Sequence, residues 1–258
     1  MEIKEKFCKT KWGKICYYQA GDDFDKVLID FHWAFGWHDI SVEGPYFNSL
    51  GYQVIAPSLP GHGLSWDLPL GTGHGDLVES LGEFLQNVAS GKKVILTGQS
   101  FGAGLALEIV KKYPQVVDLL VVDCPVVRPL GPKLWQTLLQ FVWEGAVGKV
   151  ERLVRGETVD VIPVKHHIRY PKLKNAKPLW RVLTKMVINS LHRVKVPTLI
   201  IYGRRDKVVN FEKIEPLIRQ IPSSKVVGID GNHGWSLVRP KTRYDLIYNF
   251  AERGLNGD

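Results

Sequence analysis

Short, nearly continuous apolar runs recur along the chain, and between them the apolar positions fall at helical spacing. Val27 to Phe31, Gln53 to Pro57, Lys93 to Thr97, Leu119 to Asp123, Thr198 to Tyr202 and Lys225 to Ile229 are rich in Val, Ile and Leu. Such runs suit parallel strands covered by helices on both faces, because neither face of the strand meets water. Gly75 to Ala89, Gly102 to Tyr113, Phe211 to Gln220 and Thr242 to Arg253 read as the intervening helices. At the start, IKEKFCK and KICYYQA flank Trp12 and Gly13 and predict an antiparallel hairpin. The fold class is therefore α/β: a mostly parallel central sheet, an antiparallel N-terminal hairpin at its edge, and helices on both faces.

The alternation fails between Pro125 and Ser190 and resumes at Val196. The pieces LWQTLLQFVWEG and KPLWRVLTKMVI in that stretch have helical spacing. About 65 residues is short for a separate domain. We expect residues 1–124 and 191–258 to form one core domain, with 125–190 as a helical insertion packed over it.

Charge sharpens this division. The chain carries a formal +8, which alone would suggest a nucleic-acid partner. Residues 125–190 hold 12 Lys and Arg against 4 Asp and Glu, whereas the remainder has 22 of each sign. The excess belongs to one segment, so no nucleic-acid partner is expected. No apolar run approaches the roughly 20 residues that cross a bilayer, and the start MEIKEKFCKT is charged where a secretory leader would be apolar. A soluble, cytoplasmic protein is the expectation. Cys8, Cys16 and Cys124 are odd in number and contain no CxxC pair, which predicts free thiols. A Cys8–Cys16 bridge across the hairpin is the alternative.

The strand KKVILT is followed by Gly98-Gln99-Ser100-Phe101-Gly102 and at once by the amphipathic AGLALEIVKKY. A serine on a tight strand-to-helix turn needs small neighbours, because the strained backbone leaves no room for Cβ atoms at the glycines. The helix start supplies backbone N–H groups at the same place. A dinucleotide-binding βα turn would want an acidic residue closing the second strand, and none stands there. A serine hydroxyl near neutral pH needs a base, usually a histidine held by a carboxylate. Both occur after later strands: Asp206 in YGRRDKVV and His233 in DGNHGW. The order Ser, Asp, His is the one this turn is used with.

With GQSFG, LPGHGLS from Leu59 to Ser65, YGRRDKVV and GNHGW in place, the chain resembles the α/β-hydrolase fold serine hydrolases over nearly its whole length outside 125–190. The resemblance implies Ser100 as nucleophile, His233 as general base and then acid, and Asp206 as orienting carboxylate. Asp123, at the end of the preceding strand, is the alternative acid. His62 in PGHGLS reads as a residue that holds its own loop. The stretch FHWAFGWHD after VLIDF corresponds to the loop that completes the oxyanion hole. Relatives commonly have His-Gly there and this chain has His32-Trp33. The donors carried over are the N–H groups of Ala34 and Phe101. A metal site from His32, His38 and Asp39 has no helical ligand pair, and neither metal nor cofactor is expected.

The resemblance also makes the insertion a cap that selects substrate, with Trp135, Phe141, Trp143 and Trp180 as packing or pocket residues. The expected activity is that of a carboxylesterase on small or medium acyl esters. Carbon–carbon bond hydrolysis or lactonase action on an anionic substrate is the alternative the basic cap suggests. A non-catalytic binding protein of the same fold is the third reading. An aminopeptidase would need cap carboxylates for a cationic amino terminus, and only Glu144, Glu151, Glu157 and Asp160 are there.

Overall fold

The computed structural model describes residues 1–21, 23–36, 40–130 and 171–256, with positions 139, 143, 150 and 154. Eight strands form one sheet: β1 (Ile3–Thr10), β2 (Gly13–Ala20), β3 (Lys26–Phe31), β4 (Tyr52–Pro57), β5 (Lys93–Gln99), β6 (Leu119–Asp123), β7 (Thr198–Gly203) and β8 (Ser224–Ile229), in the order β1-β2-β4-β3-β5-β6-β7-β8. The β1–β2 and β2–β4 pairs are antiparallel and all others parallel. The hairpin edge and the parallel centre both follow the sequence pattern.

Helices cover both faces. Val27, Ile29 and Phe31 of β3 point into one cluster with α2 (His74–Val88) and α3 (Phe101–Lys112). Leu28 points the other way, into a cluster with α1 (Ile40–Asn48) and α7 (Pro240–Asn256). This alternation is the two-residue period of a strand buried on both sides. Each fully buried Leu, Ile or Phe contributes about 1.5–3 kcal/mol through removal from water. The shorter α4 (Ala176–Lys185), α5 (Phe211–Ile218) and α6 (Trp235–Val238) complete the helices used below.

Strands β5 and β7 run two and one residues past their predicted ends, because Gln99 pairs with Asp123 and Gly203 with Ile229 in the ladder. The helix α1 has no clear signal in the pattern: it contains Pro45 and Gly44, and it buries the charged Glu43. All three cysteines are buried and free, so the hairpin carries no bridge.

Residues 126–130 and 179–188 contribute to the main core. Leu179, Val182, Leu183, Met186 and Ile188 join the cluster that contains α3, and the N–H of Ile188 donates to the Val127 carbonyl at 3.0 Å. Trp180 is partly buried against the same cluster, and Trp143 is exposed. Trp135, Phe141, Glu144, Glu151, Glu157 and Asp160 lie outside the described residues.

Candidate active site

The C-terminal ends of β3, β5, β6, β7 and β8 meet along one edge of the sheet, and every sequence-predicted site residue sits there. Ser100 leaves β5 with φ 54° and ψ −109°, a left-handed conformation that costs a residue with a Cβ about 1–3 kcal/mol. Its glycine neighbours explain how the turn is tolerated. A Cβ on Gly98 would come within 3.0 Å of the Gly102 backbone, and one on Gly102 would press on the Phe31 and His32 carbonyls. The strand-to-helix turn is thus wedged against β3. Bonds from Ser100 N–H to the Asp123 carbonyl (2.8 Å) and from Val126 N–H to the Ser100 carbonyl (3.1 Å) tie it to β6.

His233 follows β8 and is fully buried. Its Nε2 lies 2.9 Å from Ser100 Oγ and its Nδ1 2.7 Å from Asp206 Oδ2. A carboxylate only accepts, so it selects the tautomer with the proton on Nδ1 and turns the Nε2 lone pair toward the serine. The other oxygen, Asp206 Oδ1, accepts from the N–H groups of Val208 and Val209, both at 2.8 Å. The acid is therefore aimed by its own loop. Gly203 lets that loop lie against the backbone of Gly231 and Asn232, where a Cβ would come within 3.0 Å.

The alternative acid, Asp123, is engaged elsewhere. Its Oδ1 accepts from the Trp235 indole N–H at 2.8 Å. Burial raises its pKa, and the Arg243 guanidinium 4.0 Å away opposes that rise. Through its main-chain carbonyl and its carboxylate, Asp123 joins the Ser100 turn to the loop that carries His233.

The loop after β3 clarifies the departure at Trp33. Its backbone is not among the non-glycine residues with positive φ, which among the described residues are Ser100, Cys124 and Ser190. A glycine is therefore not required there. The Trp33 carbonyl accepts from Gly36 N–H at 3.0 Å and from His32 Nδ1 at 2.7 Å, while His32 Nε2 accepts from Leu59 N–H at 2.9 Å. A trans peptide sets its C=O and N–H in opposite directions. Gripping the Trp33 carbonyl thus fixes the direction of the Ala34 N–H. His62 packs edge-on to His32 at 4.7 Å, with Nε2 2.8 Å from the Ala34 carbonyl and Nδ1 3.2 Å from that of Pro60. It thus joins the loop after β3 to its own loop. Burial lowers the His62 pKa, with its carbonyl partners opposing. Among the described residues neither the Ala34 nor the Phe101 N–H is taken by a hydrogen-bond partner. Of the ligand set weighed for FHWAFGWHD, His38 and Asp39 lie outside the described residues.

Sequence reasoning missed a buried ionic cluster behind the site. Arg243 of α7 donates to Asp30 Oδ1 (2.8 Å) and Oδ2 (3.1 Å) and to Glu43 Oε1 (3.2 Å), and Thr97 also donates to Asp30. Burial alone would lower the Arg243 pKa, and the surrounding carboxylates more than offset this, so it stays charged. Asp30, Glu43 and Arg243 stand on β3, α1 and α7, far apart in sequence and with no local motif.

A mostly parallel sheet whose strand-turn-helix serine faces a histidine and an aspartate from two later strand ends defines the α/β-hydrolase fold serine hydrolases. Within that class the family model described as serine aminopeptidase, S33 matches residues 44–229, and the chain belongs to that family. A protein of Mycobacterium phage D29 that bears the name non-heme haloperoxidase is 23% identical over 238 residues, covering 81% of this chain and 84% of the relative. Lipase 1 of Psychrobacter immobilis is 23% identical over 252 residues, covering 88% and 76%. A thermophilic esterase from Thermogutta terrifontis superposes with a TM-score of 0.71 at 19% identity, covering 98% of this chain and 99% of that one. Among the described residues no helix is long and apolar enough to cross a membrane.

Proposed function

We propose that the protein is a carboxylic ester hydrolase that works through an acyl-enzyme on Ser100. The observation that carries this reading is the relay from Ser100 Oγ through His233 to Asp206, with contacts of 2.9 and 2.7 Å. Ser100 Oγ attacks the ester carbonyl carbon while its proton passes to His233 Nε2. Negative charge gathers on the carbonyl oxygen, where the N–H groups of Ala34 and Phe101 receive it. The tetrahedral intermediate collapses as the leaving alkoxide takes the proton from His233. Water, deprotonated by the same nitrogen, then releases the acid and restores the serine. Asp206 holds the imidazole tautomer throughout and stabilises the imidazolium.

A lipase among the relatives and an esterase among the structural neighbours support an ester as substrate. The family name includes aminopeptidase activity, but the +8 excess in residues 125–190 is the wrong sign for holding a cationic amino terminus. That same excess favours a second reading, a lactonase or carbon–carbon bond hydrolase acting on an anionic substrate. Here residues 125–190 serve as a basic cap. Three buried thiols fit a reducing compartment such as the cytoplasm. The test is a p-nitrophenyl ester series with the Ser100→Ala variant as control. The rate should fall by about 10⁴-fold or more with folding unchanged, and full activity in that variant would refute the assignment.

A further inference from the structure

Cys124 stands directly after β6 with φ 47°, an uncommon conformation for a non-glycine residue. Its N–H donates to the Ile201 carbonyl at 2.8 Å, and its side chain is buried beside the acid loop. The Cys124 Sγ, an Asp206 carboxylate oxygen and a ring nitrogen of His233 lie within 4.8 Å of one another. We propose that these three side chains form an inhibitory site for thiophilic divalent cations such as zinc or cadmium. The inhibitory consequence rests on His233 being the catalytic base; the binding itself does not.

Ligand chemistry and charge both support the site. Thiolate, imidazole and carboxylate are the donors that zinc prefers, at about 2.0–2.3 Å from the metal. Ligands of a tetrahedral site then stand roughly 3.3–3.7 Å apart, which the present cluster reaches with small shifts. The Cys124 thiol loses its proton to solvent on binding, and the Asp206 carboxylate supplies the second negative charge. A dication held by a thiolate and a carboxylate is neutral, which offsets part of the cost of burying it. Burial pushes the Cys124 thiol pKa well up, and the charges of Asp123 and Asp206 add to this. Deprotonating this thiol therefore opposes binding, and metal affinity should increase as pH rises.

Inhibition follows from the tautomer. The metal takes the place of the proton on His233 Nδ1, and that proton appears on Nε2. The lone pair that would accept the Ser100 proton is then gone. Onset should be slow, because all three ligands are shielded from solvent and the loop must open to admit the ion.

Two readouts test the proposal. Preincubation of the full chain with zinc or cadmium chloride in chelator-free buffer should lower kcat by at least about tenfold with KM unchanged, reversibly with EDTA. In Cys124→Ala and Cys124→Ser, the half-inhibitory concentration, measured against each variant's own metal-free rate, should rise by at least about tenfold. Independently of hydrolysis, cadmium should produce one ultraviolet thiolate charge-transfer band per chain in the wild type. The band should persist in Ser100→Ala and in a Cys8→Ser/Cys16→Ser double variant, and vanish in Cys124→Ser. Equal inhibition of wild type and both Cys124 variants, or a band that survives loss of Cys124, would overturn the proposal. If esters are not hydrolysed at all, the function proposed above fails, while the cadmium band still decides this site.

Discussion

Replacing Arg243 with methionine removes the guanidinium from a buried group that includes Asp30, Glu43 and, 4.0 Å away, Asp123. Methionine keeps most of the stem's volume, so the lost term is electrostatic rather than a cavity. Removing one partner of a buried ion pair costs about 3–5 kcal/mol, because the remaining charge is left uncompensated. For 258 residues the unfolding entropy is about 0.5 kcal/mol per degree, so Tm should fall by about 6–9 °C at pH 7. The sign of the pH dependence is set by the stranded carboxylates. Burial already raises the folded pKa of Asp123, and without the guanidinium the largest influence opposing that rise is gone. Protonation therefore stabilises the variant at low pH, and that stabilisation is lost as pH rises through the folded values. The deficit should shrink between pH 7 and pH 5. Thermal unfolding followed by circular dichroism at several pH values measures both effects. A Tm loss under about 2 °C, or a deficit independent of pH, would refute the view that Arg243 neutralises these groups.

Gly102→Ala should improve intrinsic helix propensity by up to about 1 kcal/mol, yet its Cβ would press on the Phe31 and His32 carbonyls. We expect lower Tm and at least a tenfold loss of ester hydrolysis; a more stable, fully active variant would show that the turn has slack. His62→Phe keeps an aromatic ring but frees the Ala34 carbonyl. A poorly held donor is worth little in the transition state, so kcat should fall about tenfold with KM unchanged, and an unaltered kcat would remove His62 from the support of the oxyanion loop. His62 also gives a signed pH effect in the wild type. Its folded pKa is lowered from 6.5 by burial, so the unfolded chain binds the extra proton and stability should decline as pH drops below that value.

What could be read from the sequence followed from locality. The strands from β3 to β7 announce themselves because each is buried on both faces and is apolar almost throughout, whereas the edge strand β8, with Lys225 and Val226 exposed, is marked by its Val-bearing run alone. Ser100, Asp206 and His233 each stand in a short motif whose small residues are demanded by backbone contacts, as the crowding at Gly98, Gly102 and Gly203 shows. The helix α1 was not legible because Gly44 and Pro45 break its pattern, and its burial is governed by Glu43 meeting Arg243 of α7. The same holds for Cys124 beside Asp206 and for the Trp235–Asp123 bond: each joins loops from different strand ends. Trp33 stands where relatives commonly have glycine, yet its φ is not positive, and the His32 and His62 rings contact the carbonyls of Trp33 and Ala34.

The central claim, that Ser100 is activated by His233 and Asp206, meets its most direct test in fluorophosphonate labelling followed by peptide mass analysis. One label per chain is predicted, on Ser100, lost in Ser100→Ala and strongly slowed in His233→Asn. An unlabelled Ser100 in the folded wild-type protein, or labelling at the same rate without His233, would contradict the account.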